Sequence, residues 1–262
     1  MPRFKIIVEY DGTNFSGWQQ QHDKPSIQGS IQNAIKLFCG IDTEVYGCGR
    51  TDAGVHAYAM PAHFDLPDNL GRQKLQSNTI CNAINYHLDM QDFKQIKILS
   101  AELVGNNFHA RFDCKQRKYV YKILIRQSAP SLLNNFVWHI RKDLSIKDME
   151  EAATFLIGKH DFTSFRSVEC QAKSPIKTID NINFECIDYS NANYFEKHVN
   201  IYFTAKSFLH HQVRNMVGSL VDVGLKKINP IIIKDILNKK DRKAAGLNAP
   251  ACGLYFLSAE YF

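Results

Sequence analysis

A short segment, residues 47–57, brings together side chains that can do chemistry. Its sequence, GCGRTDAGVHA, sets Arg50, Asp52 and His56 between glycines, which allow a backbone to approach a ligand closely. Asp52, with an ordinary pKa of about 3.9, is ionised at neutral pH, and a cation such as Arg50 favours that charged form. A carboxylate in such a loop can act as a nucleophile or a base. For the segment taken alone, an aspartate that caps a helix or closes a turn is the favoured interpretation, and only the rest of the chain changes this.

The elements before this segment must hold it in place. The β-rich residues 3–10 predict a strand. Ser26 can cap a helix that stops at Gly40, and residues 43–46 predict a short strand that delivers the Asp52 loop. The apolar face of the helix consists of Ile27, Ile31, Ala34, Ile35 and Phe38. The candidate catalytic carboxylate therefore lies on a loop between ordered elements, where functional residues are often held.

Later patterns extend this order of strands and helices. They predict strands at residues 62–65, 96–104, 118–126, 176–187, 197–205 and 253–260. They predict helices at residues 73–86, from Ser145 in a capping box with Asp148, over Leu209 to Gly224, and after Asn229-Pro230.

The order strand, helix, strand, strand, helix, strand is that of a split βαβ, or ferredoxin-like, unit, and a second such unit follows. We therefore expect an α+β fold with two ferredoxin-like (RRM-like) halves, whose antiparallel sheets flank a central positively charged cleft. Residues 1–105 form the half that carries the Asp52 loop, and residues 106–262 complete the active-site cleft.

Composition excludes several classes of protein. The chain of 262 residues is 45% apolar and 22% charged, as in ordinary soluble domains. It shows no apolar run of membrane length and no apolar signal-peptide core at its start, so we expect a cytoplasmic protein. The seven scattered cysteines form no C-x-x-C pair, and the ten histidines show no zinc-like spacing. We therefore expect no disulfide framework, no metal and no other cofactor. The net charge of +6 favours a polyanionic partner.

Six ordered blocks together resemble the tRNA pseudouridine synthase A family. The central block is RTDAGVHA at residues 50–57, followed by HFD at 63–65. The others are YDGTNFSGWQ (10–19), NFHARF (107–112) with RKYVY (117–121), GKHDFT (158–163), FLHHQVRN (208–215) and APACGL (249–254). Blocks in the same order over nearly the whole chain make a chance resemblance very improbable.

The resemblance implies an enzyme that isomerises uridine to pseudouridine at positions 38, 39 and 40 of the tRNA anticodon stem-loop, with Asp52 as catalytic nucleophile. The reaction breaks the C1′–N1 bond, turns the base and joins C5 to C1′, and it requires neither a metal nor a redox cofactor. Attack on the sugar and attack on C6 of the base both stay open. The resemblance also implies a homodimer in which each tRNA touches both subunits.

The resemblance assigns a role to four further residues. Arg50 enters the RNA near the flipped base, Tyr119 stacks on the target uracil, Arg214 bonds the catalytic carboxylate and Leu254 lines the uracil pocket. Each has an ordinary alternative: Arg50 pairs only with Asp52, Tyr119 is a cross-strand aromatic, Arg214 lies on a helix surface and Leu254 belongs to the core.

The sequence departs from the family pattern at two places. Ala59-Met60-Pro61 stand where Gly-Gln-Val is usual, which puts a proline into an expected strand, and Gln212 replaces a methionine. A basic run, residues 239–243, either holds phosphates or is a solvated helix end. The motif residues Asp11 and Trp18 are expected mainly to shape the cleft.

Two hypotheses of other classes are a non-catalytic RNA-binding protein on paired RRM-like sheets and an aspartate-dependent nucleoside hydrolase. The first would usually carry an RNP1-like sequence, and the second would carry clustered aspartates suited to calcium. The sequence shows neither feature. Release of tritium from uridine C5 distinguishes isomerisation from binding.

Overall fold

The computed structural model describes residues 1–67 and 76–261, which form an α+β protein. These residues contain ten β-strands and five α-helices. They group into two compact units, the first made of residues 1–115 and 255–262 and the second of residues 116–254. The halves expected from the sequence, 1–105 and 106–262, stay a proposal.

The first unit is a sheet with two helices. Its elements are β1 (Arg3–Tyr10), α1 (Ile27–Cys39), β2 (Tyr46–Gly47), β3 (His56–Asp65), α2 (Ser77–Met90) and β4 (Ile96–Val104). Strand β1 lies between β4 and β3 and runs antiparallel to both, while β2 pairs with the far edge of β3. Apolar residues alternate inward along β1, with Phe4, Ile6, Val8 and Tyr10 all buried.

The second unit is a sheet with three helices. Its elements are β5 (Gln116–Arg126), β6 (Trp138–Ile140), α3 (Ile146–Thr154), β7 (Gly158–Asp161), β8 (Ile176–Asp188), β9 (Glu196–Ala205), α4 (Gln212–Gly224) and α5 (Ile232–Lys239). Within the unit the strand order is β5-β9-β8-β7, with antiparallel neighbours. The last strand, β10 (Leu254–Glu260), belongs to the first unit from Tyr255 onward, where it pairs in parallel with β3.

Helix α1 follows its sequence signals at both ends. The Ser26 hydroxyl accepts a hydrogen bond from the Gly29 amide at 3.2 Å, which satisfies one of the free donors of the first turn. Gly40 ends the helix at a φ of +75°, a conformation that costs glycine little. Ile27, Ile31 and Ile35 are fully buried along the predicted face. The sequence prediction for α1 is therefore confirmed at both ends.

Strand β3 is longer than the predicted residues 62–65 and tolerates Pro61. Ile7 of β1 lies opposite Pro61, and the Cys48 amide donates to the Pro61 carbonyl at 2.7 Å. In an antiparallel ladder the N–H and C=O of one residue point to the same side. The missing amide of Pro61 therefore faces Cys48, just beyond the end of β2, and leaves the pairing with β1 intact.

Three helix predictions need correction. Helix α2 runs from Ser77 to Met90, and residues 73–75 of the prediction lie outside the described residues. The capping box at Ser145 is wrong, because the Ser145 side chain makes no capping hydrogen bond and its amide donates to the Gly224 carbonyl at 2.9 Å. Leu209 precedes α4, which starts at Gln212 after a residue in the left-handed conformation.

In the described part of the chain, no helix combines the length and the apolar character that crossing a bilayer requires.

Candidate functional site

The Asp52 loop of the first unit is fixed on both sides of the carboxylate. The Trp18 amide donates to the Thr51 carbonyl at 3.0 Å, and the Thr51 hydroxyl bonds the Tyr10 hydroxyl at 2.8 Å. Asp52 itself is half-buried, and its carbonyl accepts from the Val55 amide at 3.2 Å. Thr51 and Val55 are buried. The backbone that carries the carboxylate is thus tied to residues 10–18, more than thirty residues away in sequence.

Two glycines of the 10–19 motif make this close approach possible. A Cβ at Gly12 would overlap the Val55 carbonyl, and a Cβ at Gly17 would overlap the Thr51 carbonyl. Gly17 also has a φ of +103°, which a residue with a side chain rarely adopts. The sequence assigned this motif mainly to shaping the cleft, whereas its contacts here are with the backbone of the Asp52 loop itself.

His56 belongs to the support of the loop. Its ring is 1% exposed, and its Nδ1 lies 3.0 Å from the Gly12 amide and 3.1 Å from the Asp11 carboxylate. The ring stacks on Tyr255 with centroids 4.7 Å apart, and Tyr255 stacks in turn on Tyr58 at 5.1 Å. This three-ring stack joins the start of β3 to β10 and anchors the loop at its C-terminal end.

Arg50 and Asp52 both lie on this loop, with Arg50 exposed and Asp52 half-buried. The other three residues singled out from the sequence, Tyr119, Arg214 and Leu254, lie in the second unit.

Tyr119 and Tyr121 share one face of β5 but differ in their surroundings. Tyr119 is 8% exposed, lies opposite Phe203 of β9 and meets the Phe208 ring edge-on at 5.2 Å. Tyr121 is fully buried and its hydroxyl donates to the Pro250 carbonyl at 2.8 Å. Burial raises the pKa of the Tyr121 hydroxyl well above its ordinary value, so Tyr121 serves the fold as a neutral donor.

Arg214 lies in the first turn of α4 and is tied to the segment before β10. Its Nε donates to the Ala249 carbonyl at 2.8 Å, and the Ala249 amide donates to the Arg214 carbonyl at 3.2 Å. Gln212 closes the turn before the helix: its side-chain oxygen accepts from the Leu209 backbone amide at 2.8 Å, and its backbone amide donates to the Leu209 carbonyl at 3.0 Å. The glutamine that departs from the family pattern therefore closes the turn that leads into α4.

A buried asparagine and an inward-turned arginine also hold the segment before β10 against α4. Arg242 donates through Nη2 to the Asn215 side-chain oxygen at 2.8 Å and through Nη1 to the Gly246 carbonyl at 3.1 Å. The Asn215 side chain, 1% exposed, donates to the Phe165 carbonyl at 2.8 Å. Burial lowers the pKa of the Arg242 guanidinium, yet it stays charged at neutral pH.

The basic run is therefore not uniform. Arg242 is engaged in the fold, and Lys240 lies 3.6 Å from the Asp161 carboxylate. Lys239 and Lys243 are exposed.

The sequence analysis did not single out Asn215 as a functional or supporting residue. A polar residue on the largely apolar side of α4 was the available signal, since a buried amide needs partners.

Leu254 is 6% exposed and is the first residue of β10.

A second buried histidine, His63, lies outside the 47–57 loop: its Nδ1 accepts from the Ala110 amide at 3.2 Å. Burial, together with the nearby His109 and Arg3, lowers the pKa of His63 to about 4. The ring is therefore neutral at physiological pH and acts as a hydrogen-bond acceptor.

Comparison with known proteins agrees with the resemblance. The family described as tRNA pseudouridine synthase matches residues 6–113 and 152–261. The tRNA pseudouridine synthase A of Ehrlichia chaffeensis is 46% identical over 260 residues, covering 99% of this chain and 100% of that protein. The protein of the same name from Caulobacter vibrioides is 42% identical over 261 residues, covering 100% of this chain and 99% of that protein. Since the match spans well over half of the chain and the identities exceed 40% at nearly full length, the chain belongs to the tRNA pseudouridine synthase family.

Proposed function

We propose that this protein isomerises uridine to pseudouridine at positions 38, 39 and 40 of the tRNA anticodon stem-loop, with Asp52 as the catalytic nucleophile. Full-length similarity to proteins named tRNA pseudouridine synthase A supports the reaction and the substrate class. The observation that carries the assignment of Asp52 is its loop, because the flanking Thr51 and Val55 are fixed while the carboxylate stays half-buried between them.

In the proposed reaction Asp52 attacks the sugar or the base, and the C1′–N1 bond breaks. The uracil then turns, C5 forms the new bond to C1′, and the bond between the substrate and the Asp52 carboxylate breaks, which restores the free carboxylate. The C5 proton leaves and N1 takes up a proton, so that substrate and product have the same composition. A carboxylate held by a rigid backbone suits this step, because its geometry is set before the substrate binds.

The remaining roles follow the resemblance. Arg50, exposed on the same loop, is proposed to enter the RNA beside the flipped base. Tyr119 is proposed to stack on the target uracil, Arg214 to bond the catalytic carboxylate and Leu254 to line the uracil pocket. The hydrogen bond from Arg214 Nε to the Ala249 carbonyl supports a fixed orientation of that guanidinium.

Two further features belong to the proposal. We propose that both halves are ferredoxin-like, which the placement of β1 between β4 and β3 supports for the first half. We also propose that the enzyme is a homodimer whose subunits both touch one tRNA. Light scattering at assay concentrations tests the dimer, and a fully active monomer would refute it.

The central test compares Asp52→Asn with the wild type in tritium release from tRNA labelled at uridine C5. We expect turnover to fall by on the order of 10³ or more, because the nucleophile is lost, while tRNA affinity and thermal stability stay close to those of the wild type. Asp23→Asn, an exposed loop aspartate, is the matched control and should release tritium normally. Normal release by Asp52→Asn would remove Asp52 as nucleophile.

A further inference from the structure

One ring nitrogen of His56 lies between two groups of the turn that follows β1. Its Nδ1 is 3.0 Å from the Gly12 amide nitrogen and 3.1 Å from an oxygen of the Asp11 carboxylate. An unprotonated Nδ1 accepts from the amide, and a protonated Nδ1 donates to the carboxylate. In both cases this atom joins the start of β3 to residues 11 and 12. The ring is 1% exposed, so water has little access to replace the contact.

The groups that meet Nδ1 are themselves held in place. The Asp11 oxygen that faces the ring also accepts from the Thr13 amide at 2.9 Å and from the Thr13 hydroxyl at 2.5 Å. The Asp11 backbone amide donates to the Gln95 carbonyl at 3.0 Å. His56 therefore contacts a turn whose position is set by other residues of the first unit, and it transmits that position to its own neighbours in the chain.

The backbone links His56 to Asp52 over a short path. His56 directly follows Val55, whose amide donates to the Asp52 carbonyl at 3.2 Å and closes the turn of the loop. The Val55 carbonyl lies so close to Gly12 that a Cβ on that glycine would overlap it. Residue 12 thus contacts the loop twice, at the Val55 carbonyl and at the His56 ring. A shift of either contact moves the turn that carries the Asp52 carboxylate.

Strand β3 contains a second histidine in a similar setting. His63 is also 1% exposed, and its Nδ1 accepts from the Ala110 amide at 3.2 Å. It lies seven residues after His56, about 23 Å along the strand at about 3.3 Å per residue. The two histidines share their burial and their bond to a backbone amide, but only His56 adjoins the Asp52 loop. They therefore allow a contribution to stability to be separated from a contribution to the position of Asp52.

We propose that His56 is a positioning residue for Asp52, and that the hydrogen-bonding atom at its Nδ1 position, rather than the ring as a whole, holds the Asp52 carboxylate where it attacks the substrate. The proposal rests on the proposed function. A side chain that is 1% exposed offers almost no surface to tRNA. Its loss should therefore slow the chemical step and leave the affinity for tRNA unchanged.

Three substitutions of His56 place the replacement group differently. His56→Asn carries a carboxamide on Cγ, the carbon to which Nδ1 is attached, so it can accept from the Gly12 amide or donate to the Asp11 carboxylate. His56→Gln carries the same group one carbon further along, and His56→Phe keeps a ring against Tyr255 with no hydrogen-bonding atom. With saturating enzyme, single-turnover tritium release should fall about 30- to 100-fold in His56→Gln and His56→Phe, and at most about fivefold in His56→Asn. The tRNA dissociation constant of all three should stay within about twofold of the wild-type value.

The same three substitutions at His63 are the matched controls. They should lower the folding stability measured by urea titration, yet keep the single-turnover rate per folded molecule within about twofold of the wild type. Each rate is divided by the folded fraction of the variant at the assay temperature. If His56→Phe does not fold, the comparison of His56→Asn with His56→Gln still decides, because both lose the ring and differ only in where the carboxamide lies.

A rate that only asparagine restores supports the positioning role. Equal losses in the three His56 variants would assign the effect to the ring, and unchanged rates would leave His56 an ordinary core residue. A parallel loss of tRNA affinity would mean that the loop has collapsed, and each of these three results overturns the proposal. If the wild type releases no tritium, the proposed function fails, whereas normal rates in the His56 variants beside an inactive Asp52→Asn concern the positioning role alone.

Discussion

The Asp52 loop and the segment at residues 242–250 are both bonded to distant parts of their own unit, but by different kinds of group. Neutral groups hold the first: the Trp18 amide, the Tyr10 hydroxyl and the space left by Gly12 and Gly17. In the second, two cations add to the neutral Ser219 and Tyr121 hydroxyls, since Arg242 and Arg214 each donate to carbonyl oxygens of the segment.

This difference tells us what each region tolerates. The Asp52 loop depends on backbone groups approaching closely, so added volume should harm it more than a change of charge nearby. The 242–250 segment depends on charge-assisted hydrogen bonds to buried acceptors, so loss of a cation should harm it more.

The largest effect is expected from filling the space at Gly12. Gly12→Ala sets a methyl group into the Val55 carbonyl, and the loop must shift to make room. A misplacement of about 1 Å at a reacting group costs on the order of 10²-fold in rate, and we expect that loss in single-turnover tritium release. At Gly105 a Cβ would meet only the flexible Asn107 side chain, so Gly105→Ala is the control. Normal activity of Gly12→Ala would contradict the proposed dependence on close contact.

Two substitutions of Tyr119 test whether the second unit contributes to the chemistry of the reaction or only to tRNA binding. Tyr119→Leu removes the ring and should cost about 1–3 kcal/mol of tRNA binding, the worth of one stacked base. Tyr119→Phe keeps the ring and lacks the hydroxyl. If the hydroxyl helps to remove the C5 proton, which we expect, Tyr119→Phe should bind normally but turn over slowly in single-turnover assays. Near-normal rates for both variants would leave Tyr119 as a sheet aromatic.

The charge dependence of the second region can be measured as stability. Arg242→Gln leaves the buried Asn215 oxygen without its charged donor, and we expect unfolding free energy to fall by about 1–3 kcal/mol in urea titrations. Lys243→Gln removes an exposed charge from the same run and should change it by less than about 0.5 kcal/mol. Equal stabilities of the two variants would mean that Arg242 is no more important to the fold than a surface lysine.

The smallest expected effect is on the pH dependence of folding stability, through His63 of the first unit. The folded-state pKa of His63, about 4, lies below the ordinary value of 6.5, so protons bind the unfolded chain more readily. The stability that neutral His63 provides is complete above about pH 6.5 and is lost as the pH falls toward 4. His63→Asn should weaken the loss of stability between about pH 7.5 and pH 5, whereas His22→Asn, an exposed histidine, should not. Identical slopes for both variants would assign the pH dependence to other groups.

The sequence by itself determined those features whose signals lie close together along the chain. Ser26 and Gly40 bound α1 because a cap and a left-handed stop act within one turn of the helix. The β-rich composition of residues 3–10 and the alternation of residues 96–104 predicted the limits of β1 (Arg3–Tyr10) and β4 (Ile96–Val104), because these signals are local too. The six ordered sequence blocks also indicated the family, and the match to the family model confirms it.

Only the tertiary structure decided what holds these elements. Thr51 meets Tyr10 across 41 residues, and Arg242 reaches Asn215 across 27, so no local pattern announces either bond. Arg242 belongs to a basic run that could have been a solvated helix end, but it turns inward because the buried Asn215 side-chain oxygen on α4 accepts a hydrogen bond from it. Pro61 remained in a strand because its missing amide faced the side beyond the end of β2. Such outcomes depend on which distant groups meet, and the order of residues along the chain does not state that.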